Sequence, residues 1–310
     1  MKILLTGATG FIGQALSIEL LNQGFNLTVA LRKKNNLFSD NVNQVVVGNL
    51  SSNTDWGQIL EKVDCVVHLA GKAHVIDKSK ESILDEFKKI NTDLTLSLAK
   101  QSAESGVKRL VFLSSIGVNG NQNNKPFTED DIPNPQEPYA ISKYEAEQGL
   151  SKISKKSGLE VVIIRPPLVY GPNAPGNFGR LICWAKSKFL FPLPLGSIHN
   201  QRSLVAIDNL VDFIITCIVH KDASNEIFLI SDNQDISTTQ LLRKVAKAAK
   251  KKVFLLPIPV KLMVFMASIL GRSEDATRLF SSLQVDSSKA KKILDWHPKI
   301  TIDEQLTKIR

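Results

Sequence analysis

Across the first half of the chain, short β-rich apolar runs alternate with longer helical stretches, and that rhythm leaves few folds open. The runs are Lys2–Thr6, Leu27–Leu31, Gln44–Val47, Cys65–Leu69, Leu110–Leu113 and Val161–Arg165. Most are continuously apolar, as strands covered on both faces must be. Between them, Ile12–Asn22, Phe87–Gly106 and Ala140–Ser157 read as helices. Strand–helix–strand units connect through right-handed crossovers, so the expected class is α/β with a doubly wound, mostly parallel sheet.

The pattern changes after Arg165. Pro166, Pro167, Pro172 and Pro175, with Gly171, Gly176 and Gly179, interrupt regular structure. A helix is expected over Phe178–Lys188, a loop at Pro192–Gly196, a returning helix at Ile207–His220 and a short strand at Ile227–Ile230. The division that follows is a first domain of residues 1–170, with 203–232 returning to it, and a smaller lobe formed mainly by 171–310. Phe254–Leu270 is almost entirely apolar but is interrupted by Pro257, Pro259 and Lys261. It is shorter than the ~20 residues a bilayer span needs. It reads as a loop and then a buried helix from about Val260, with no integral membrane association and with peripheral membrane contact left open.

Composition narrows the class of protein. A chain of 310 residues with 43% hydrophobic content can bury the core of one large α/β unit and a lobe. Lys and Arg outnumber Asp and Glu by 39 to 30, but the basic residues are scattered over positions such as Lys152, Lys155 and Lys156, which suits a solvated surface. No zinc-finger spacing or RNA-binding strand signature points to nucleic acid. Cys65, Cys183 and Cys217 are odd in number and far apart, so no disulfide framework is implied. With a strand beginning at Lys2 and no room for a signal peptide before it, a cytoplasmic location is expected. His68 and His74 lack a convincing set of ligand partners, and no metal is expected.

The chain opens with ILLTGATGFIG, placing Gly7, Gly10 and Gly13 where a buried strand turns into a helix. Small residues let the backbone turn tightly and approach phosphate oxygens, while the helix start supplies free amides to a pyrophosphate. Ala8 occupies the second glycine position of the usual dinucleotide pattern. Beyond the second strand stand Arg32 and Lys33 rather than an acid that would bond the ribose of NAD. A cationic pair there suits the extra phosphate of NADP, so NAD and NADP both remain open. Asn49, after the third strand, is a candidate acceptor for the adenine amino group.

Two further stretches carry chemistry. Ser114 and Ser115 end the buried run Phe112–Leu113, where the carboxyl end of a strand faces a ligand crevice. Tyr139 and Lys143 lie four positions apart at the start of a helix and share one face. Tyr139 would exchange a proton with a hydroxyl or carbonyl, and the Lys143 ammonium would favour the tyrosinate and reach the nicotinamide ribose. Ser115 would hold the reacting oxygen.

With GATGFIG at 7–13, HLAG at 68–71, LSS at 113–115, YAISK at 139–143, RPPLVYGP at 165–172, RSLVAIDNL at 202–210 and ILDWHP at 293–298, the chain resembles extended short-chain dehydrogenases/reductases of the NAD-dependent epimerase/dehydratase family over essentially its whole length. The resemblance implies a Rossmann sheet with a smaller C-terminal substrate-binding lobe, and a catalytic centre of Ser115, Tyr139 and Lys143 completed by Asn91. It places Gly7, Thr9, Gly10, Phe11, Ile12, Gly13, Arg32, Asn49, Leu50, Leu69, Ala70, Ser114, Tyr139, Lys143 and Pro166 along the cofactor. It also sets Ser115, Tyr139, Asn177, Arg202 and Arg278 against the substrate. Gly117 departs from some 4-epimerases, which carry a second hydroxyl residue there. The activity implied is a UDP-sugar 4-epimerase holding NAD, or an NADPH-dependent 4-keto-sugar reductase in surface-polysaccharide or lipopolysaccharide synthesis. Homodimers of the family pair through two long helices, here Phe87–Gly106 and Ala140–Ser157.

Overall fold

The computed structural model describes residues 1–39, 41–73, 80–187, 192–271, 276 and 279–309. The apolar runs form β1 (Lys2–Thr6), β2 (Asn26–Leu31), β3 (Asn43–Val46), β4 (Cys65–His68), β5 (Arg109–Leu113) and β6 (Glu160–Arg165). β7 (Leu168–Tyr170) and β8 (Leu204–Ala206) pair with each other, and β9 (Ile227–Leu229) returns beside β6. All seven main strands are parallel, in the order β3-β2-β1-β4-β5-β6-β9. The order reverses at β1, which pairs with β2 on one side and β4 on the other. A crevice therefore opens beyond the carboxyl ends of β1 and β4, where such sheets bind their ligands.

The strands are apolar throughout because both faces are covered. Ile3 and Leu5 of β1 pack with Leu16 and Leu20 of α1 (Phe11–Asn22) and with Phe213 of the later helix Ile207–Val219. Leu4 points to the opposite layer, which contains Trp56 and Leu60 at and beyond the start of α2 (Gly57–Leu60). That second layer is completed by α3 (Lys80–Phe87), α4 (Leu94–Glu104) and α5 (Pro138–Ser157). Pro138 begins α5 without loss, since an N-terminal amide has no intrahelical acceptor, and Gly158 ends it in the left-handed conformation at φ 75°.

The expected continuous helix Phe87–Gly106 is divided. A π-helical turn, Lys88–Asp93, separates α3 from α4. Asn91 lies inside it, fully buried, with bonds that a regular helix phase would not have offered it.

A smaller lobe is built around Tyr170, Phe178, Leu204, Val245 and Ile302. It includes α6 (Gly176–Lys186), α8 (Thr238–Ala248) and the short helix Ile302–Thr307, while α7 (Ile207–Val219) returns to the main sheet. Buried Asp232 ties the lobe's small sheet to α7 by accepting from Tyr170 Oη at 2.7 Å, Ala206 N at 2.9 Å and Asn209 Nδ2 at 2.8 Å.

A correction falls on the apolar segment. A helix does begin at Val260, giving α9 (Val260–Ile269), but it is not buried. Val260, Met263 and Ala267 are half-buried, and the remaining seven positions face outward. Among the described residues, no helix is long and apolar enough to cross a membrane.

Candidate active site

The glycine turn sits at the sheet's reversal point. Gly7 has φ +74°, and a β-carbon there would lie 2.7 Å from Ala70 N, in the segment that follows β4. Gly13 packs more tightly still: a β-carbon would fall 2.1 Å from Gly7 O. These clashes are with backbone, so neither position tolerates a side chain without moving the turn. Gly10 caps α1 with no side chain bonded to its first amides, and Thr9 and Gly10 are exposed. Free amides at a helix start, beside a turn that no side chain fills, fit a dinucleotide pyrophosphate. Phe11 and Ile12 are half-buried in the first turn of α1, and Leu69 and Ala70 line the facing loop, where Thr6 Oγ1 accepts from Ala70 N at 3.2 Å. Arg32, Lys33 and Asn49 are exposed just beyond β2 and β3, and Leu50 is half-buried beside Asn49.

The proposed catalytic group gathers at the end of β5. Lys143 is 3% exposed and donates from Nζ to Leu113 O at 2.9 Å. The same ammonium lies 4.4 Å from the Phe112 ring centroid and 6.0 Å from that of Tyr139. Ser115 caps the next turn, its Oγ accepting from Gly117 N at 3.1 Å. That turn packs on α5 closely: a β-carbon at Gly117 would sit 3.3 Å from Ala140 Cβ and 3.4 Å from Ser115 Oγ. A second hydroxyl residue at Gly117 would thus press on the helix turn that carries Tyr139. Pro166 O accepts from Ile116 N at 3.0 Å, which closes the far side of the site with the end of β6.

Asn91 reaches the site through backbone. Its Oδ1 accepts from Lys72 N at 2.9 Å, and its Nδ2 donates to Lys72 O at 3.1 Å and Ser142 Oγ at 3.0 Å. Ser142 Oγ donates in turn to Tyr139 O at 2.7 Å. Gly71 lies between them, where a β-carbon would be 3.1 Å from Asn91 Oδ1 and 3.4 Å from Lys143 Nζ. Asn91 therefore holds the loop after β4 against α5.

Burial sets the proton affinities. It pushes the Tyr139 phenol up to about 12 and brings the Lys143 ammonium down to about 8, the latter against the opposing pull of Glu147. The lysine was expected to favour the tyrosinate. Burial governs the phenol here, and Nζ donates to Leu113 O. His68 belongs to the scaffold: it bridges Thr6 Oγ1 at 2.7 Å and Thr95 Oγ1 at 3.0 Å, and burial followed by the Lys143 charge lowers its pKa to about 3.

Sequence reasoning missed one cluster. Ser114 spends its hydroxyl on Glu147 at 2.5 Å, and Arg165 reaches both Glu147 and Asn119 Oδ1, the latter at 2.9 Å. A glutamate four residues after Lys143 and an arginine ending β6 were the available signal. Of the substrate candidates, Arg202 is half-buried and donates to Ser281 O at 3.2 Å, with burial lowering its pKa. The side chain of Asn177 and the whole of Arg278, like His74, lie outside the described residues.

A parallel sheet with a glycine turn at its reversal point and a Tyr-Lys pair one strand away defines a dinucleotide-dependent α/β enzyme. The model of the NAD dependent epimerase/dehydratase family matches residues 3–231. A UDP-glucose 4-epimerase of Vibrio cholerae is 42% identical over 98% of this chain and 92% of its own. The N-acetyl-alpha-D-glucosaminyl-diphospho-ditrans,octacis-undecaprenol 4-epimerase of Escherichia coli O157:H7 is 29% identical over 84% of this chain and 76% of its own. The fold matches the crystal structure of UDP-glucuronic acid 4-epimerase from Bacillus cereus in complex with NAD at a TM-score of 0.79, covering 99% and 96% of the two chains at 21% identity. The chain belongs to the NAD dependent epimerase/dehydratase family.

Proposed function

We propose that the chain is a nucleotide-sugar 4-epimerase that oxidises the C4 hydroxyl of a UDP-hexose or UDP-N-acetylhexosamine and reduces the 4-keto sugar again from its other face. The observation that carries this reading is the bond from Lys143 to Leu113 O, which sets the Tyr139 helix against the Ser115 turn beside the glycine crevice. The 42% identity to a UDP-glucose 4-epimerase supports the same chemistry.

A bound nicotinamide supplies the hydride acceptor and donor. The chain supplies proton transfer and position. Ser115 Oγ holds the reacting oxygen. Tyr139 takes the hydroxyl proton at its phenol oxygen during oxidation and returns it during reduction. A phenol with its pKa at about 12 is already in the form that donates. For the opposite step the Lys143 ammonium is the nearby charge that favours the phenolate. Arg202, Asn177 and Arg278 are assigned to the nucleotide diphosphate, where planar guanidinium donors suit phosphate oxygens. Residues 171–310, less 203–232, would form the substrate lobe, and the enzyme would work in the cytoplasm. The Escherichia coli relative's substrate, a sugar carried on a lipid diphosphate, supports a place in surface-polysaccharide synthesis.

Exposed Arg32 and Lys33 favour a second reading, an NADPH-dependent 4-keto-6-deoxy-sugar reductase. One experiment separates the two: release the cofactor by denaturing the purified protein, then incubate intact enzyme with UDP-sugars. Retained NAD, with UDP-glucose/UDP-galactose or N-acetyl analogue interconversion and no added cofactor, is the expected result. Exchangeable NADPH consumed with a UDP-4-keto-6-deoxy sugar would overturn the epimerase reading.

A further inference from the structure

The charge of this chain is not evenly scattered. Residues 236–273 hold eight of the 39 Lys and Arg and none of the 30 Asp and Glu, so nearly all of the net +9 resides in this one stretch. It contains the most exposed apolar surface of the smaller lobe. Phe254, Leu262, Phe265, Met266, Ile269 and Leu270 are between 49% and 70% exposed. A helix that is apolar around most of its circumference is ordinarily buried; α9 covers only Val260, Met263 and Ala267 in part. The segment before it is fixed to the lobe, with Leu256 N donating to Leu193 O at 2.8 Å and Gly196 N to Leu256 O at 2.9 Å. Exposed Lys250, Lys251 and Lys252 precede it, and exposed Lys261 stands on its first turn.

We infer that α9 docks the smaller lobe on an anionic lipid bilayer, lying in the interface with its apolar side chains among the acyl chains and the lysines at the headgroups. The ten residues of α9 extend about 15 Å, half the ~30 Å hydrocarbon thickness, so the helix lies on the membrane rather than across it. Charge complementarity selects this occupant. A second copy meeting α9 through a two-fold axis would bring two sets of Lys250–Lys252 and Lys261 to one interface, with no acidic residue of 236–273 to offset them. Nucleic acid would meet the charge but offers no apolar medium for Phe265, Ile269 and Leu270. An anionic bilayer satisfies both features at once.

The test is sedimentation of the full chain with vesicles of phosphatidylcholine alone and with added phosphatidylglycerol. Binding is expected to the anionic vesicles and to weaken with salt. K250Q/K251Q/K252Q should weaken it ~100-fold, at roughly fivefold per lysine. F265S/I269S should weaken it at unchanged charge. Both variants should keep wild-type turnover with a soluble nucleotide sugar, or wild-type thermal unfolding if no sugar is turned over, which separates this inference from the assigned activity. Absence of binding to anionic vesicles would overturn the inference, as would equal binding by F265S/I269S. So would a wild-type oligomer that F265S/I269S dissociates, since a second copy would then cover the helix.

Discussion

Glu147 accepts two hydrogen bonds from Arg165, at 3.0 and 2.5 Å, and each of the two side chains is only 3% exposed. Ser114 adds a third donor to the same carboxylate. The pair joins α5 to the end of β6 directly behind the Ser115 turn. Removing one partner would leave the other charge buried and alone, which costs about 3–5 kcal/mol. E147Q and R165M should each lower the unfolding free energy obtained from urea titration by that order, and E147Q/R165M should lose clearly less than the sum. Additive losses would show that the two residues act separately.

Y139F keeps the ring and its edge contact with Phe87, whose centroid is 5.9 Å away. It removes only the proton-transferring hydroxyl. Turnover should fall ~100- to 10,000-fold with nicotinamide binding retained. A chemical step near the wild-type rate would remove Tyr139 from its assigned role.

Lys143 gives a pH signature with a definite sign. Its proton leaves the folded chain at about 8 and the unfolded chain at ~10.4. Burying the ammonium therefore costs stability in full below about 8, and that cost is lifted as pH rises through the window. Relative to K143M, the wild type should gain on the order of 1 kcal/mol per pH unit between those values. Parallel stability profiles would mean that Lys143 titrates normally.

Gly13→Ala tests the fit of the cofactor turn. The new β-carbon would meet Gly7 O at 2.1 Å, a backbone atom that can yield only by moving the turn. A loss of about 1–3 kcal/mol is expected, together with loss of retained cofactor. Normal cofactor content in the purified variant would show that the turn does not hold the pyrophosphate.

Arg32→Ala should weaken NADP binding about tenfold, the loss of one charged phosphate contact, and leave NAD binding unchanged. Equal effects on both, or none, would end the argument that the second-strand cations discriminate between cofactors.

The sheet was legible because its residues obey local rules: β1, β4, β5 and β6 are short apolar runs within a residue or so of their sequence-expected bounds. Gly7 and Gly13 were legible because only a residue without a β-carbon fits their backbone contacts. What could not be read depends on contacts between distant segments. The π turn at Asn91 answers to Lys72 and Ser142, and nothing in the local periodicity of Phe87–Gly106 encodes it. Glu147 looked like an ordinary helix-surface charge until β6 placed Arg165 beside it. For α9, composition correctly indicated a helix but could not tell which faces the rest of the chain would cover.

The position of β1 in the middle of the sheet has a consequence for how the enzyme comes into being. One edge of β1 finds β2 early, since Ile3 pairs with Leu27, but its other edge must wait some sixty residues for Cys65, and the far edge of β5 must wait for β6, where Arg109 pairs with Glu160. Parallel pairings of this span are slow to close. The cradle of glycines, the Ser115 turn and the Tyr139 helix come together only when the chain has emerged at least to Arg165. Until β4 arrives, a nascent chain presents one apolar edge of β1 unpaired, a target for chaperones before it is a site for any nucleotide.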